Sequence, residues 1–216
     1  MKVGTDAVLL GRWVEVKSTD CCLDIGTGCG IIPLMLMQKG ADSVDAIDLD
    51  NASITEATEN FAASQWRDHM QAVLMDVKDY RPEKLYDLIV SNPPFFINSF
   101  KCDTDRKNQA RHTDISLTFA DLCESVARLL KPNGRFAVVL PVTESIAFLK
   151  AAMKEGLFLH KEMDIIPVEE KEPNRVNLEL GFQITENIVK EEFTIRQLNG
   201  RFTLQYNEFL KDFYLG

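Results

Sequence analysis

Ser91-Asn92-Pro93-Pro94-Phe95 brings two hydrogen-bond acceptors and a flat apolar ring together in five residues. It follows Tyr86 to Val90, an apolar run that reads as a buried strand. Two consecutive prolines end a β ladder and fix the backbone. Asn92, preceding a proline, is biased to an extended conformation. Its side-chain carbonyl can accept one hydrogen bond from an exocyclic amino group. The carbonyl of Pro93 can accept a second, and Phe95 offers a face for stacking a planar ring. An amine of the adenine type is a poor nucleophile because its lone pair is delocalised into the ring. Two acceptors on its hydrogens draw the nitrogen toward tetrahedral geometry and expose that lone pair to an electrophile. Catalysis of this kind is mainly positioning and calls for neither a metal nor a covalent nucleophile. The bland alternative is a loop merely terminated by prolines.

A second constellation lies upstream. Asp24-Ile25-Gly26-Thr27-Gly28-Cys29-Gly30 places three glycines at alternate positions between an apolar run and a helical pattern. Glycine permits a sharp turn and close approach of backbone to a ligand, and the helix start that follows offers free N–H groups. The spacing is G-x-G-x-G rather than the G-x-G-x-x-G of dinucleotide binders. Asp48, 22 residues after Gly26, can accept hydrogen bonds from ribose hydroxyls. Asp76, ending a later apolar run, is placed to meet an adenine ring. Each acid alone reads as a solvated strand end. Together they favour a bound nucleoside, with a nicotinamide dinucleotide still possible.

These residues need a scaffold that brings strand ends together. Cys21 to Ile25, Ser43 to Ile47, Met70 to Met75, Tyr86 to Val90 and Arg135 to Leu140 read as strands. Ile31 to Lys39 (stopped by Gly40), Ser53 to Ala63, Leu117 to Leu130 (stopped by Lys131 to Gly134) and Glu144 to Glu155 read as helices. This alternation argues for parallel βαβ units. After Gly156 the rhythm changes. Leu157 to Val168, Asn177 to Ile184 and Phe193 to Gln197 read as strands without long helices between them, so antiparallel pairing is expected there. Phe95 to Thr113 has no clear period and reads as a long functional loop.

Composition excludes several classes. With 216 residues the chain suits one domain with a sizeable core. Its longest apolar runs fall far short of a membrane span, and Met1-Lys2-Val3-Gly4 lacks a secretory apolar core; a cytoplasmic protein is expected. Five cysteines, none in a C-x-x-C pair, give neither a disulfide framework nor a zinc site. A net charge of −9 means that any cations meeting a phosphate backbone must be locally concentrated.

The D-x-G-x-G-x-G turn, the acidic strand ends and N-P-P-F, over roughly Cys21 to Leu140, resemble the class I Rossmann-like amino-methyltransferases. The resemblance implies a doubly wound α/β fold whose mainly parallel seven-stranded sheet ends in an antiparallel edge. It implies S-adenosylmethionine as cofactor and no metal. Asp24, Gly26, Gly28 and Gly30 would shape the methionine pocket, Asp48 would bind the ribose and Asp76 would lie near the cofactor adenine. Asn92, Pro93 and Phe95 would form the catalytic set, with Asn92 also bordering the cofactor.

The remaining segments narrow the substrate. Lys2 to Leu10, Ala110-Arg111-His112-Thr113-Asp114, Pro173-Asn174-Arg175 and Asp212-Phe213-Tyr214-Leu215 resemble the family that methylates N6 of the adenine beside the valine tRNA anticodon. In that family Thr5 and Asp6 would close over the methionine end of the cofactor, and a further segment commonly precedes the position of Met1. Residues 1–216 are then one methyltransferase domain, with a closing segment at 1–19, a βαβ core at 20–156 and an antiparallel part at 157–216. The expected partner is the anticodon loop, whose single-stranded bases are splayed and stacked; a monomer is expected. Lys101, Arg106, Lys107, Arg111 and His112 would supply a local basic cluster, His112 binding rather than catalysing. Phe96 and Phe100 are candidates to stack on RNA, whereas Trp66 is expected to pack beside the second helix. The alternatives are a glutamine N5-methyltransferase acting on a release factor and a non-catalytic cofactor-binding subunit. A DNA adenine methyltransferase lacks its target-recognition domain here, and a dehydrogenase leaves N-P-P-F unexplained.

Overall fold

A computed structural model describes residues 4–93 and 117–213. Cys21–Ile25 (β1), Ser43–Asp48 (β2), Met70–Leu74 (β3), Tyr86–Ser91 (β4) and Leu130–Pro141 (β5) form a parallel sheet in the order β3-β2-β1-β4-β5. The helices among them are Thr5–Trp13 (α1), Ile31–Gln38 (α2), Asn51–Ala63 (α3), Phe119–Leu129 (α4) and Val142–Lys154 (α5). Side chains alternate across a strand, and here both faces are apolar because both are covered. Cys22, Val44, Ala46, Leu88, Val90, Ala137 and Val139 face a core shared with α1, α2 and α3. Leu23, Ile25, Ile47, Ile89, Phe136, Val138 and Leu140 face a second core under α4 and α5.

The sheet continues through Phe158–Val168 (β6), Arg175–Gly181 (β7) and Val189–Arg196 (β8), followed by the helix Leu204–Leu210 (α6). The full order is β3-β2-β1-β4-β5-β7-β6-β8, eight strands where seven were expected. β7 is antiparallel to both β5 and β6, whereas the outermost strand β8 is parallel to β6. The reversal therefore lies one strand inside the expected edge. β8 starts four residues before the apolar signal at Phe193, because its charged opening pairs across the sheet. Lys190 meets Glu162 at 2.6 Å, and Lys161 meets Glu191 at 3.1 Å.

One boundary also moves. α4 starts at Phe119 behind a capping box, in which Thr118 Oγ1 accepts from Asp121 N at 3.1 Å and Asp121 Oδ2 accepts from Thr118 N at 3.1 Å. It ends at Leu129, and Lys131 to Gly134 lie within β5, where the register with β4 shifts between Tyr86 and Leu88.

The amino end of the sheet carries a buried carboxylate with a full set of donors. Asp45, on β2, accepts from Tyr86 Oη at 2.5 Å and from Gln71 Nε2 at 2.9 Å, and pairs with Lys84 at 3.0 Å. Tyr80 joins Tyr86 at 2.8 Å between the hydroxyls. Burial, and then these hydrogen bonds, push the Tyr86 hydroxyl far above its ordinary pKa. Removing one donor from a buried carboxylate costs about 1–3 kcal/mol. Tyr86→Phe is therefore expected to lower the unfolding free energy from urea titration by that amount, and an unchanged value would show that the network adds nothing to stability.

Candidate active site

β1 lies between β2 and β4, with Ile25 level with Ile47 on one side and Ser91 on the other. Ser91 Oγ donates to the Ile25 carbonyl at 2.8 Å and locks the two strand ends together. The chain leaves β1 toward α2 on one face of the sheet, and α4, the next described helix after β4, lies on the other. Such a switch point leaves a crevice at the carboxyl ends of the strands. Asp24 lies in β1 and Gly26 and Gly28 follow it on one side; Asn92 and Pro93 follow Ser91 at the end of β4 on the other.

The glycine turn is held by its neighbour. Gly26 N and Thr27 N donate to the Ile47 carbonyl at 2.9 and 3.1 Å, and Gly28 N donates to Asp48 Oδ2 at 2.9 Å. Asp48 Oδ1 accepts from Asp50 N at 2.9 Å, so this carboxylate shapes the turn as well as facing the crevice. Gly26 has φ +78°, and a Cβ there would meet no atom within 4 Å. It opens onto empty space at the mouth of the turn. Gly30, at φ +81°, has a different need for glycine, since a Cβ would lie 2.5 Å from the Phe61 ring. It lets α3 pack against the turn, and Asn60 Nδ2 donates to Cys29 O at 2.9 Å beside it.

Asp24 is fully buried, and neither carboxylate oxygen finds a hydrogen-bond partner among the described residues. The Thr27 hydroxyl, also buried, has none either. Burial pushes the Asp24 carboxyl up to about 7; nearby Thr27 offsets part of that rise, and the charge of Asp48 adds to it. Asp76 follows β3, where it accepts from Lys78 N at 2.9 Å and pairs with Lys78 Nζ at 3.3 Å. Met75 N donates to Asp48 O at 3.0 Å, which joins the two strand ends. Sequence reasoning passed over Leu49 and Met75, which are 51% and 38% exposed beside Asp48 and Asp76. Their signal was an apolar residue next to a strand-end acid.

Thr5 and Asp6 open α1, and Asp6 Oδ2 accepts from Arg175 Nε at 3.0 Å. Trp66 packs partly buried against the core that contains α2 and α3. Phe95, Phe96, Phe100, Lys101, Arg106, Lys107, Arg111 and His112 lie outside the described residues. Among the described residues, no group of three or more His, Cys, Asp or Glu could hold a metal ion. No described helix is long and apolar enough to cross a membrane.

A raised carboxyl pKa destabilises the fold only where the unfolded chain would be ionised. Below about pH 4 Asp24 is protonated in both states and carries no penalty. Between there and about 7 the unfolded state releases its proton first, so the folded state loses ground as pH rises. At about 1.4 kcal/mol per pKa unit, the full penalty is on the order of 4 kcal/mol. Asp24→Asn is expected to raise the ligand-free Tm at pH 8, with the gain shrinking as pH falls toward 5. Thermal unfolding across that range checks it, and a pH-independent difference would contradict it.

Residues 2–162 match the methyltransferase small domain family. Over its full length the chain is 41% identical to the tRNA1(Val) (adenine(37)-N6)-methyltransferase of Phocaeicola vulgatus, covering 91% of it. It is 38% identical to the protein of that name from Trichodesmium erythraeum, again over the full chain and 91% of the relative. Similar solved structures include a ribosomal protein L11 methylase from Lactobacillus delbrueckii subsp. bulgaricus (TM-score 0.58, 19% identity, 81% of this chain and 76% of that one). Another is the glycopeptide N-methyltransferase MtfA (TM-score 0.60, 15% identity, 85% and 90%), solved with S-adenosyl-L-methionine. At those identities the structures speak for the fold alone. The switch-point crevice, the family match and the full-length relatives agree: the chain belongs to the methyltransferase small domain family, alongside the tRNA1(Val) (adenine(37)-N6)-methyltransferases.

Proposed function

We propose that the protein transfers a methyl group from S-adenosylmethionine to N6 of the adenine beside the anticodon of valine tRNA. The observation that carries this reading is that β4 ends level with β1, Ser91 Oγ bonded to the Ile25 carbonyl, so that Asn92 and Pro93 follow at the strand end next to the one that opens the glycine turn. The name shared by the full-length relatives favours an RNA adenine over a release-factor glutamine or a non-catalytic role.

The residues fit the cofactor. Asp24 offers a buried carboxylate without a donor, which suits the methionine ammonium and would stay ionised beside it. The open space at Gly26 leaves room for the methionine backbone, and Gly28 and Gly30 complete the turn. Asp48 retains lone pairs for ribose hydroxyls. Leu49 and Met75 would flank the adenine, with Asp76 at its edge. Thr5 and Asp6 would close the methionine end. When bound, S-adenosylmethionine supplies an electrophilic sulfonium methyl.

The Asn92 side-chain carbonyl and the Pro93 carbonyl would accept hydrogen bonds from the two N–H groups of the substrate amine and orient its lone pair toward the cofactor side of the crevice. The nitrogen gives up one proton to water once it carries the methyl, leaving the cofactor as the neutral thioether. Phe95 would stack on the base, which is cheaper to rotate out of a loop than out of a duplex. Lys101, Arg106, Lys107, Arg111 and His112 would meet the phosphates of the anticodon loop. That cluster would offset the overall acidity where contact is made, and binding should weaken steeply with salt. This reading treats residues 1–216 as one domain acting as a cytoplasmic monomer.

The direct test is labelled methyl transfer to unmodified valine tRNA, with nucleoside analysis of the product. N6-methyladenosine beside the anticodon is expected. Asn92→Ala should retain cofactor binding yet lose single-turnover transfer by about 100-fold, the scale on which misplaced reactants lose rate. Normal single-turnover rates in that variant would remove Asn92 from the acceptor role.

A further inference from the structure

α1 is secured at its two ends by different cations, and the geometry gives one of them a task in the site. Gly11 of α1 lies against Met35 of α2, so closely that a Cβ would stand 2.9 Å from Met35 Sδ. Lys39, the C-cap of α2, donates to the carbonyls of Gly11 at 3.3 Å, of Arg12 at 2.8 Å and of Val14. The C-terminal ends of the two helices are therefore side by side, and so are their N-terminal ends. Met35 is about one turn beyond Ile31, where α2 leaves the glycine turn, and one turn back from Gly11 along α1 is Ala7. Continued in that direction, Thr5 and Asp6 fall beyond the start of α2, on the side from which Gly30 leads into it.

That projecting turn has little of its own to hold it. The first N–H groups of a helix have no intrahelical partner, and the N-cap, Gly4, makes no side-chain hydrogen bond. Among the described residues, what reaches it is Arg175, whose Nε donates to Asp6 Oδ2 at 3.0 Å while Nη1 donates to Asn174 O at 3.0 Å. Arg175 begins β7 opposite Pro141, at the carboxyl end of β5 and one strand from β4, which leads to Asn92. The two side chains are 26% and 24% exposed, so the pair is only partly screened by water.

We propose that Arg175 is a positioning residue for the methionine end of the cofactor. By holding Asp6 it fixes the first turn of α1 over the glycine turn, without touching the reacting atoms. The inference rests on the reading of this crevice as an S-adenosylmethionine site. If the turn is closed only part of the time, the apparent affinity falls by that fraction, whereas chemistry in the filled site is unchanged.

Calorimetric titration of the full chain with S-adenosylmethionine, together with single-turnover transfer to valine tRNA at saturating cofactor, tests it. A turn closed about a tenth of the time predicts that Arg175→Ala raises Kd about tenfold with the saturated rate unchanged. Arg175→Lys should recover most of the affinity. Lys39→Met, which loosens the opposite end of the same helix, should lower Tm while leaving Kd as in the wild type. The proposal is overturned if Arg175→Ala lowers Tm but not affinity, if Lys39→Met weakens binding equally, or if the saturated rate falls instead. A wild-type chain that binds no S-adenosylmethionine overturns the reading of the crevice, and the proposal with it. Normal wild-type binding with an indifferent Arg175→Ala overturns the proposal alone.

Discussion

β1 has β2 on one side and β4 on the other, and α2 and α4 lie on opposite faces of the sheet. The strand order sets the carboxyl ends of β1 and β4 side by side, with the glycine turn following one and Asn92 following the other. Asp48 couples a third strand to the arrangement, because the oxygen that ties down Gly28 belongs to the end of β2. The pocket is thus a product of strand order first and of side chains second.

The two ends of the sheet treat buried acids in opposite ways. At the amino end Asp45 is surrounded by Tyr86, Gln71 and Lys84, and Asp20 meets Arg135 at 2.8 Å and the backbone N–H of Lys17 at 3.0 Å. Asp87 likewise takes Lys131 and the backbone N–H of Cys21. At the carboxyl end Asp24 and Thr27 are buried without partners among the described residues. Buried polar groups are ordinarily satisfied; among the described residues Asn177 on β7 shares this state, but only at the glycine turn do an unpartnered carboxylate and hydroxyl lie together. Departures from local consistency gather at functional sites.

Much of this was legible in the residues. Parallel strands covered on both faces are continuous apolar runs, which is why Cys21–Ile25 and Tyr86–Ser91 stood out and why the acids ending their neighbours could be aligned. Gly26 announced a left-handed turn. Other features were hidden by their chemistry. The opening of β8 is charged because its partners are the opposite charges on β6, a relation no local window contains. Lys131 to Gly134 have the composition of a turn, and only pairing with β4 carries them into a strand. The helical state of Thr5–Trp13 and the bond from Asp6 to Arg175 depend on packing against residues far along the chain. Asp45 was passed over because an acid inside an apolar strand shows its role only once Tyr86 and Tyr80 stand beside it.

Besides Lys39, α1 has anchors late in the sequence. Asp6 bonds Arg175, Trp13 Nε1 donates to Glu191 at 2.7 Å and Arg12 Nε donates to Phe209 O at 2.8 Å, with sequence separations of 169, 178 and 197 residues. On a ribosome, where chains emerge N-terminus first, α1 can pack on α2 early, but Asp6, Arg12 and Trp13 must wait for the last strands and helix. Non-local contacts of this kind also close slowly in a free chain. Until β7 and β8 are in place, the glycine turn can form while its cover remains undocked. The ability to retain a small ligand would then be among the last properties the newly made chain acquires.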